Sequence, residues 1–417
     1  VKKRDGRIVS FDENRIREAI NRASAEVGVV DEPLVEKIVE KVKSLAEKKS
    51  LDVEQIQDAV ERELMKSSRK DVAKAYIAYR HQRNLARKAK SRDLFMSVVN
   101  IENNETTREN ANVGSDSPNG ILFLFGSETS REFAVDYLLS KESAAARQAN
   151  YIYPADMTMY STRSLTCLHH PLDRFLEKGF KEYGIRPAKK LESAFSLAAL
   201  SLETIQSEQH GGQSCPCIDF YLEKYVRMAY EEEFEKASEL FGYDINLTVR
   251  DREIKDYEKK DLSGIQDPFE RIRQHSINKC VDRLSNACKA FIHEMNSVRS
   301  RAGAQPTFSS INYGTSVSAE GRAIIRELLL QTKRGVGNGE TAIFPIQVFK
   351  LKEGVSRNPG DPNYDLYQLA CEVTARRFYP NFLNLDASYN KNDAWNENDP
   401  KRYEHEVATM GKQLLLI

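Results

Sequence analysis

Apolar positions recur at helical spacing through residues 12–79. Ile8, Val9 and Phe11 form a short extended patch, and Ile16, Ile20, Ala23 and Val27 then repeat every three or four positions behind Asp12, a residue type that caps helices. A second stripe, Leu34, Ile38, Val42 and Leu45, follows Pro33, which suits a first helical turn. A third carries Val53, Ile56, Val60 and Leu64 behind Asp52, and a fourth runs through Val72, Ala75, Tyr76 and Tyr79. The pattern predicts four amphipathic helices after a short strand pair, with residues 86–92 as a basic connector. Residues 103–120 are polar and turn-rich. Helices are expected on both sides of His210-Gly211-Gly212, and residues 228–262 read as a charged, solvated helix and loop. Ile277, Val281, Leu284, Cys288, Phe291, Met295 and Val298 mark a long helix. Residues 307–313 and 341–349 read as strands around a helix at 318–333. Long helices alternating with single strands predict an α/β architecture.

The chain has 417 residues, room for a small domain and a large one. Lys plus Arg, 62, equals Asp plus Glu, 62, which argues against a basic coat for nucleic acid. Six cysteines are too sparse for a disulfide-stapled scaffold. No run of about 18 apolar residues or signal-peptide pattern is present, so a cytoplasmic chain with reduced thiols and no membrane contact is expected. The apolar end Leu414-Leu415-Leu416-Ile417 is an odd surface to leave in water.

Candidate chemistry falls on a few residues, each with a blander alternative. Lys2, Lys3, Arg4 and Arg7 surround a tight turn at Asp5-Gly6, with Arg15 on the next helix. Converging cations suit a triphosphate, and a solvated basic strand explains the same run. Cys167 sits in a strand-like segment, as a small buried hydrophobe or a working thiol. Asn110 and Asn112 fit turn chemistry or polar ligand contacts. Backbone N–H groups of residues 309–316, including Ser309 and Ser310, and of residues 335–339 could approach phosphates. Arg186, Lys189 and Lys190 read as a solvated helix start or as effector contacts. Cys215-Pro216-Cys217 with His210 falls short of the four ligands of a closed zinc site, so no metal is expected.

Residues 1–90 resemble the ATP-cone, the regulatory nucleotide-binding domain of ribonucleotide reductases. The likeness rests on VKKRDG at residues 1–6, Phe11, the Arg15-Ile16 and Ala19-Ile20 pattern, DVEQIQDAVERELM at 52–65 and AKAYIAYRHQR at 73–83. It implies ATP and dATP as allosteric effectors, with Lys3, Arg4 and Arg15 on the phosphates and Gln57 near the base or ribose. A small zinc-ribbon repressor family also carries a cone, but no cysteine precedes Cys167.

Past residue 100 the chain resembles the anaerobic, class III, glycyl-radical ribonucleoside-triphosphate reductases. TTRENAN at 106–112, SLTC at 164–167, HPLD at 170–173, RPAKK at 186–190, HGGQ at 210–213, AIFPIQV at 342–348, GDPNY at 360–364 and RRFYP at 376–380 carry it in order. The resemblance implies the N-terminal part of a ten-stranded α/β barrel over residues 91–417. It also implies deoxyribonucleotide synthesis from ribonucleoside triphosphates, with Cys167 as the cysteine that helps remove the 2′-hydroxyl, facing a second, radical-bearing cysteine. Asn110 and Asn112 are then substrate-site contacts, and Arg186, Lys189, Ser309 and Ser310 candidate effector or substrate phosphate contacts. The family further implies a homodimer, a radical S-adenosylmethionine activase as partner, formate or a redoxin as reductant, and a C-terminal zinc site.

Two departures stand out. YIYPAD at 151–156 keeps only Asp156 of a His-x-His-Asp run usual in relatives. The radical-bearing cysteine would follow Gly411, where this chain has Lys412, and residues 412–417 fall outside the family pattern. With that cysteine, the glycyl-radical loop and the zinc cysteines all missing, the expectation is a truncated form, inactive as a reductase alone and poorly soluble without a partner chain. The alternative is a non-catalytic nucleotide-binding regulatory or interaction protein derived from that enzyme.

Overall fold

The computed structural model describes residues 1, 8–28, 30–48, 51–83, 117–181, 184–242 and 254–410. The chain divides into two compact units, Val1–Asn103 and Asn104–Ile417.

In the first unit Val1 and Val9 exchange both backbone bonds, at 2.8 and 3.0 Å; the rest of the expected strand pair lies outside the described residues. Helix α1 (Glu13–Glu26) starts where Asp12 accepts from the Asn14 N–H. Helix α2 (Glu32–Lys48) is capped by Asp31, which accepts from Leu34 N–H. Helix α3 (Val53–Lys66) has a reciprocal capping box between Asp52 and Gln55. Helix α4 spans 70–83. Their apolar stripes meet in one core of Ile16, Ile20, Ile38, Val60, Leu64 and Val72 with neighbours. The α2 face is rotated from expectation: Val35 and Val39 are buried, whereas Leu45 is 45% exposed.

The second unit opens with α5 (Pro118–Phe133), a π-helical turn (Ala134–Leu138), α6 (Lys141–Gln148) and the short α7 (Met157–Tyr160). Five strands follow, β1 (Thr166–His169), β2 (His210–Cys215), β3 (Ser309–Tyr313), β4 (Ile346–Leu351) and β5 (Asn381–Asn384). They form one parallel sheet in chain order. The connections carry α8 (Leu172–Lys178), α9 (Leu191–Ile205), α10 (Ile218–Leu240), α11 (Pro268–Ser297), α12 (Ala319–Arg334) and α13 (Tyr364–Arg377). The α/β class holds, with β1 and β5 as open edges among the described residues. The sequence pattern missed β2 and β5. It also placed residues 228–240 in solvent, yet Ala229, Tyr230, Phe234 and Ala237 on α10 are buried.

The two faces of the sheet differ chemically. Ile311, Tyr313, Cys215 and Phe349 join the large core shared with the helices. The opposite face presents Ser214, Asn312 and Lys350, with an apolar patch of Val348, Leu383 and Leu385. Residues 406–410, beyond the short 3-10 turn Arg402–His405, cross this polar face. Val407 packs on the apolar patch. Glu406 pairs with Lys350 at 3.0 Å, both side chains being fully buried. No helix among the described residues is long and apolar enough to cross a membrane.

Candidate functional site

In the helical unit, Arg15 and Gln57 line one cleft of about 310 Å³ together with Arg22, Tyr76, Arg80 and Arg83. Arg15 is largely exposed and leans on Asp12 at 3.3 Å. Arg80 bonds Glu54, Asp58 and Glu61 at 2.7–2.9 Å. Burial opposes its charge and those carboxylates outweigh burial, so its pKa lies above the ordinary arginine value. Burial pushes the Tyr76 phenol up to about 12. Forked guanidinium donors beside tyrosine rings suit a phosphorylated aromatic ligand. Lys3 and Arg4 lie outside the described residues.

In the sheet unit, Cys167 lies where the β1–β2 register shifts between Thr166 and Leu168. Its φ of 47° is left-handed, an uncommon conformation for a residue with a side chain. The bulge turns the thiol onto β2, where Gly212 N–H donates to Sγ at 3.3 Å. Gly211, at φ 87°, has no room for a side chain: a Cβ there would stand 2.7 Å from Cys167 Sγ and 2.9 Å from Thr166 Oγ1. The two glycines make the seat for the sulfur. Phe308 and Met410 stand where a Gly212 side chain would otherwise reach.

Around the thiol stand groups that the sequence pattern did not connect. His210 shares a 2.8 Å hydrogen bond between Nδ1 and Ser164 Oγ, and Nε2 faces Asp156 Oδ2 at 3.8 Å. Asp156 thus has an imidazole neighbour supplied by β2. Arg301 feels both Asp156 and Cys167, while burial holds its pKa below the ordinary arginine value. A nearby guanidinium favours an anionic ligand. Cys215 at the end of β2 and Cys217 just before α10 differ: both are buried, and desolvation pushes both thiols up. Such thiols are poor nucleophiles.

Asn110 and Asn112 lie outside the described residues. The four candidate phosphate residues are not brought together. Arg186 and Lys189 are exposed ahead of α9, whereas Ser309 and Ser310 are buried within β3. Ser309 Oγ donates to Met295 Sδ on the helical side, and Ser310 Oγ to the Gln213 carbonyl. The expected phosphate-facing N–H groups after β3 are also engaged: Gly314 and Ser316 donate to Asp219 Oδ2 at 2.9 and 3.1 Å. A buried carboxylate already fills that nest. Among the described residues no cluster of three or more His, Cys, Asp or Glu side chains could hold a metal ion.

Fold and sites define an α/β protein that joins a cation-lined helical module to a parallel sheet bearing a seated thiol. Residues 109–415 match the family model of the anaerobic ribonucleoside-triphosphate reductase, and residues 1–85 that of the ATP cone domain. The anaerobic ribonucleoside-triphosphate reductase of Haemophilus influenzae is 30% identical over 393 residues, covering 92% of this chain and 52% of that protein. The same enzyme of Salmonella typhimurium is 30% identical over 394 residues, with 93% and 51% covered. The crystal structure of the Thermotoga maritima anaerobic ribonucleotide reductase in complex with dATP and CTP is similar at a TM-score of 0.40 and 12% identity, covering 64% of this chain and 41% of that one. The chain belongs to the anaerobic ribonucleoside-triphosphate reductase family and spans about half the length of these curated relatives.

Proposed function

We propose that the chain provides the effector-binding and thiol-bearing parts of an anaerobic ribonucleoside-triphosphate reductase. The observation that carries this reading is the seat of Cys167, a half-buried thiol held by Gly212 and made possible by Gly211, in a chain of this family. A ribonucleoside triphosphate lies with its ribose against that thiol. The 2′-hydroxyl leaves as water and a hydrogen takes its place. Formate, released as carbon dioxide, or an external dithiol supplies the two electrons. In the family a glycyl radical, generated by a radical S-adenosylmethionine activase, supplies the unpaired electron that starts this chemistry. This chain's residues seat the thiol, place the Arg301 guanidinium near it and hold Asp156 against His210. Five parallel strands in chain order suit one half of a ten-stranded barrel, and the reductase works as a homodimer.

ATP and dATP compete for the Arg15–Gln57 cleft and set activity. That cleft belongs to a unit with its own core, which also supports the second reading, a nucleotide-binding regulator.

Two measurements test these assignments. A ribonucleoside triphosphate at millimolar concentration should slow alkylation of Cys167, followed by peptide mass spectrometry, and no protection would remove the substrate assignment. Calorimetric titration with ATP and dATP should show binding that Arg15→Ala weakens about tenfold, the loss of one charge-assisted contact. Cone binding without protection at Cys167 would favour the regulator.

A further inference from the structure

The segment 406–410 is tied to four of the five strands at successive points. Glu406 accepts from Lys350 Nζ of β4 at 3.0 Å, from Thr315 Oγ1 beyond β3 at 2.8 Å, and from Trp395 Nε1 at 3.2 Å. Arg402 donates to the Thr315 carbonyl at 2.8 Å, which holds the chain entering the segment. His169 of β1 hydrogen-bonds the Ala408 backbone. Asn312 of β3 grips Thr409 twice: its Oδ1 accepts from Thr409 N–H and its Nδ2 donates to the Thr409 carbonyl, each at 3.0 Å. Met410 then reaches Gly212 of β2, its Sδ 3.7 Å from where a Cβ would stand. Gly212 is the residue whose N–H holds Cys167.

This is more fixing than a connecting segment needs. Asn312 matches both backbone groups of one residue, as a neighbouring strand would, and so makes good the polar backbone of a segment that joins no ladder. The Lys350–Glu406 pair is fully buried, so its partners cannot be replaced by water without moving the segment. The last link ends at the glycine whose N–H holds the thiol.

We infer that Lys350, Glu406 and Asn312 are positioning residues: they lay residues 406–410 across the polar face so that Met410 covers the Gly212 side of Cys167, and they thereby set access to that thiol. The inference rests on the proposed function only in taking Cys167 as the working thiol. Its test uses no nucleotide, so the two can fail separately.

The test is alkylation by iodoacetamide on the full chain, in a Cys371→Ser background that removes the exposed thiol. Modification is read cysteine by cysteine, with the buried Cys215 of β2 and Cys217 just beyond it as internal controls. Asn312→Ala should raise the Cys167 rate tenfold or more and leave Cys215 and Cys217 slow. Thr315→Val removes one hydroxyl donor from Glu406, keeps the ion pair, and should raise the Cys167 rate two- to threefold in a normally folded protein. An unchanged Cys167 rate in Thr315→Val and Asn312→Ala overturns the inference. So does a parallel rise at all three cysteines, which is the mark of general loosening. Should Asn312→Ala fail to fold, the Thr315→Val rates decide.

Discussion

The two units of this chain are stabilised in different ways. The helical unit is built from local rules: four helices each bring an apolar stripe to one core, and Asp12, Asp31 and Asp52 cap three of them. The sheet unit is helix-packed on one face and polar on the other. Its polar face depends on a few buried groups that meet from distant parts of the chain, such as Lys350 with Glu406 and Asn312 with Thr409. A fault in the first should remain small and local. A fault in the second should strand a buried polar group and cost much more.

The largest effect is expected at the ion pair. Burial alone would lower the Lys350 pKa, but Glu406 more than offsets this and holds it above the ordinary lysine value. Glu406→Ala leaves that ammonium buried and unpaired, at a cost of about 3–5 kcal/mol. Calorimetry should show the sheet unit melting far earlier and the helical unit unchanged; a shared drop would break the contrast. Gly211→Ala should come next, at about 2–4 kcal/mol, because it combines a left-handed φ with a collision against Cys167 Sγ. A cost below about 1 kcal/mol in the same measurement would mean the glycine seat is soft.

A buried carboxyl sharpens the comparison in the opposite direction. Burial, with repulsion from Glu294, pushes Glu203 up to about 7 from an ordinary 4.5. The folded chain therefore holds a proton that the unfolded chain releases, and stability falls as pH rises between those values. Glu203→Gln should leave stability unchanged near pH 4 and raise it by about 1–2 kcal/mol at pH 8. Equal stability of variant and parent at pH 8 in urea titrations would contradict that. The smallest effect belongs to the helical unit: Asp52→Ala removes one side of a capping box and should cost about 1 kcal/mol, seen as faster amide exchange confined to the start of α3.

Legibility in the sequence follows the same divide. Caps at Asp12 and Asp52 and the existence of α1 to α4 could be read because each helix carries its own signal, although the face of α2 was read about a position off. Arg15 and Gln57, from different helices, also meet in one cleft. Strand β3 was legible because Ile311 and Tyr313 alternate with polar residues. Strand β2, His-Gly-Gly-Gln-Ser-Cys, was not: its glycines exist to seat a sulfur and its Ser214 faces Asn312, so no apolar alternation survives. Strand β5 is four residues long. At the thiol, Cys167 stood out and Asp156 was named, but Arg301 and Met410 come from distant segments that only the fold brings near. The phosphate expectation for residues 309–316 failed because the N–H groups of Gly314 and Ser316 serve Asp219.

The buried ion pair also acts as an index mark. A segment held by backbone pairing alone can slide by one residue and regain much of its bonding. Here a slip by one would set His405 or Val407 against Lys350, a half-exposed imidazole or an aliphatic chain where the ammonium needs an anion. One charge pair thus assigns a single address to every residue that follows it along the sheet.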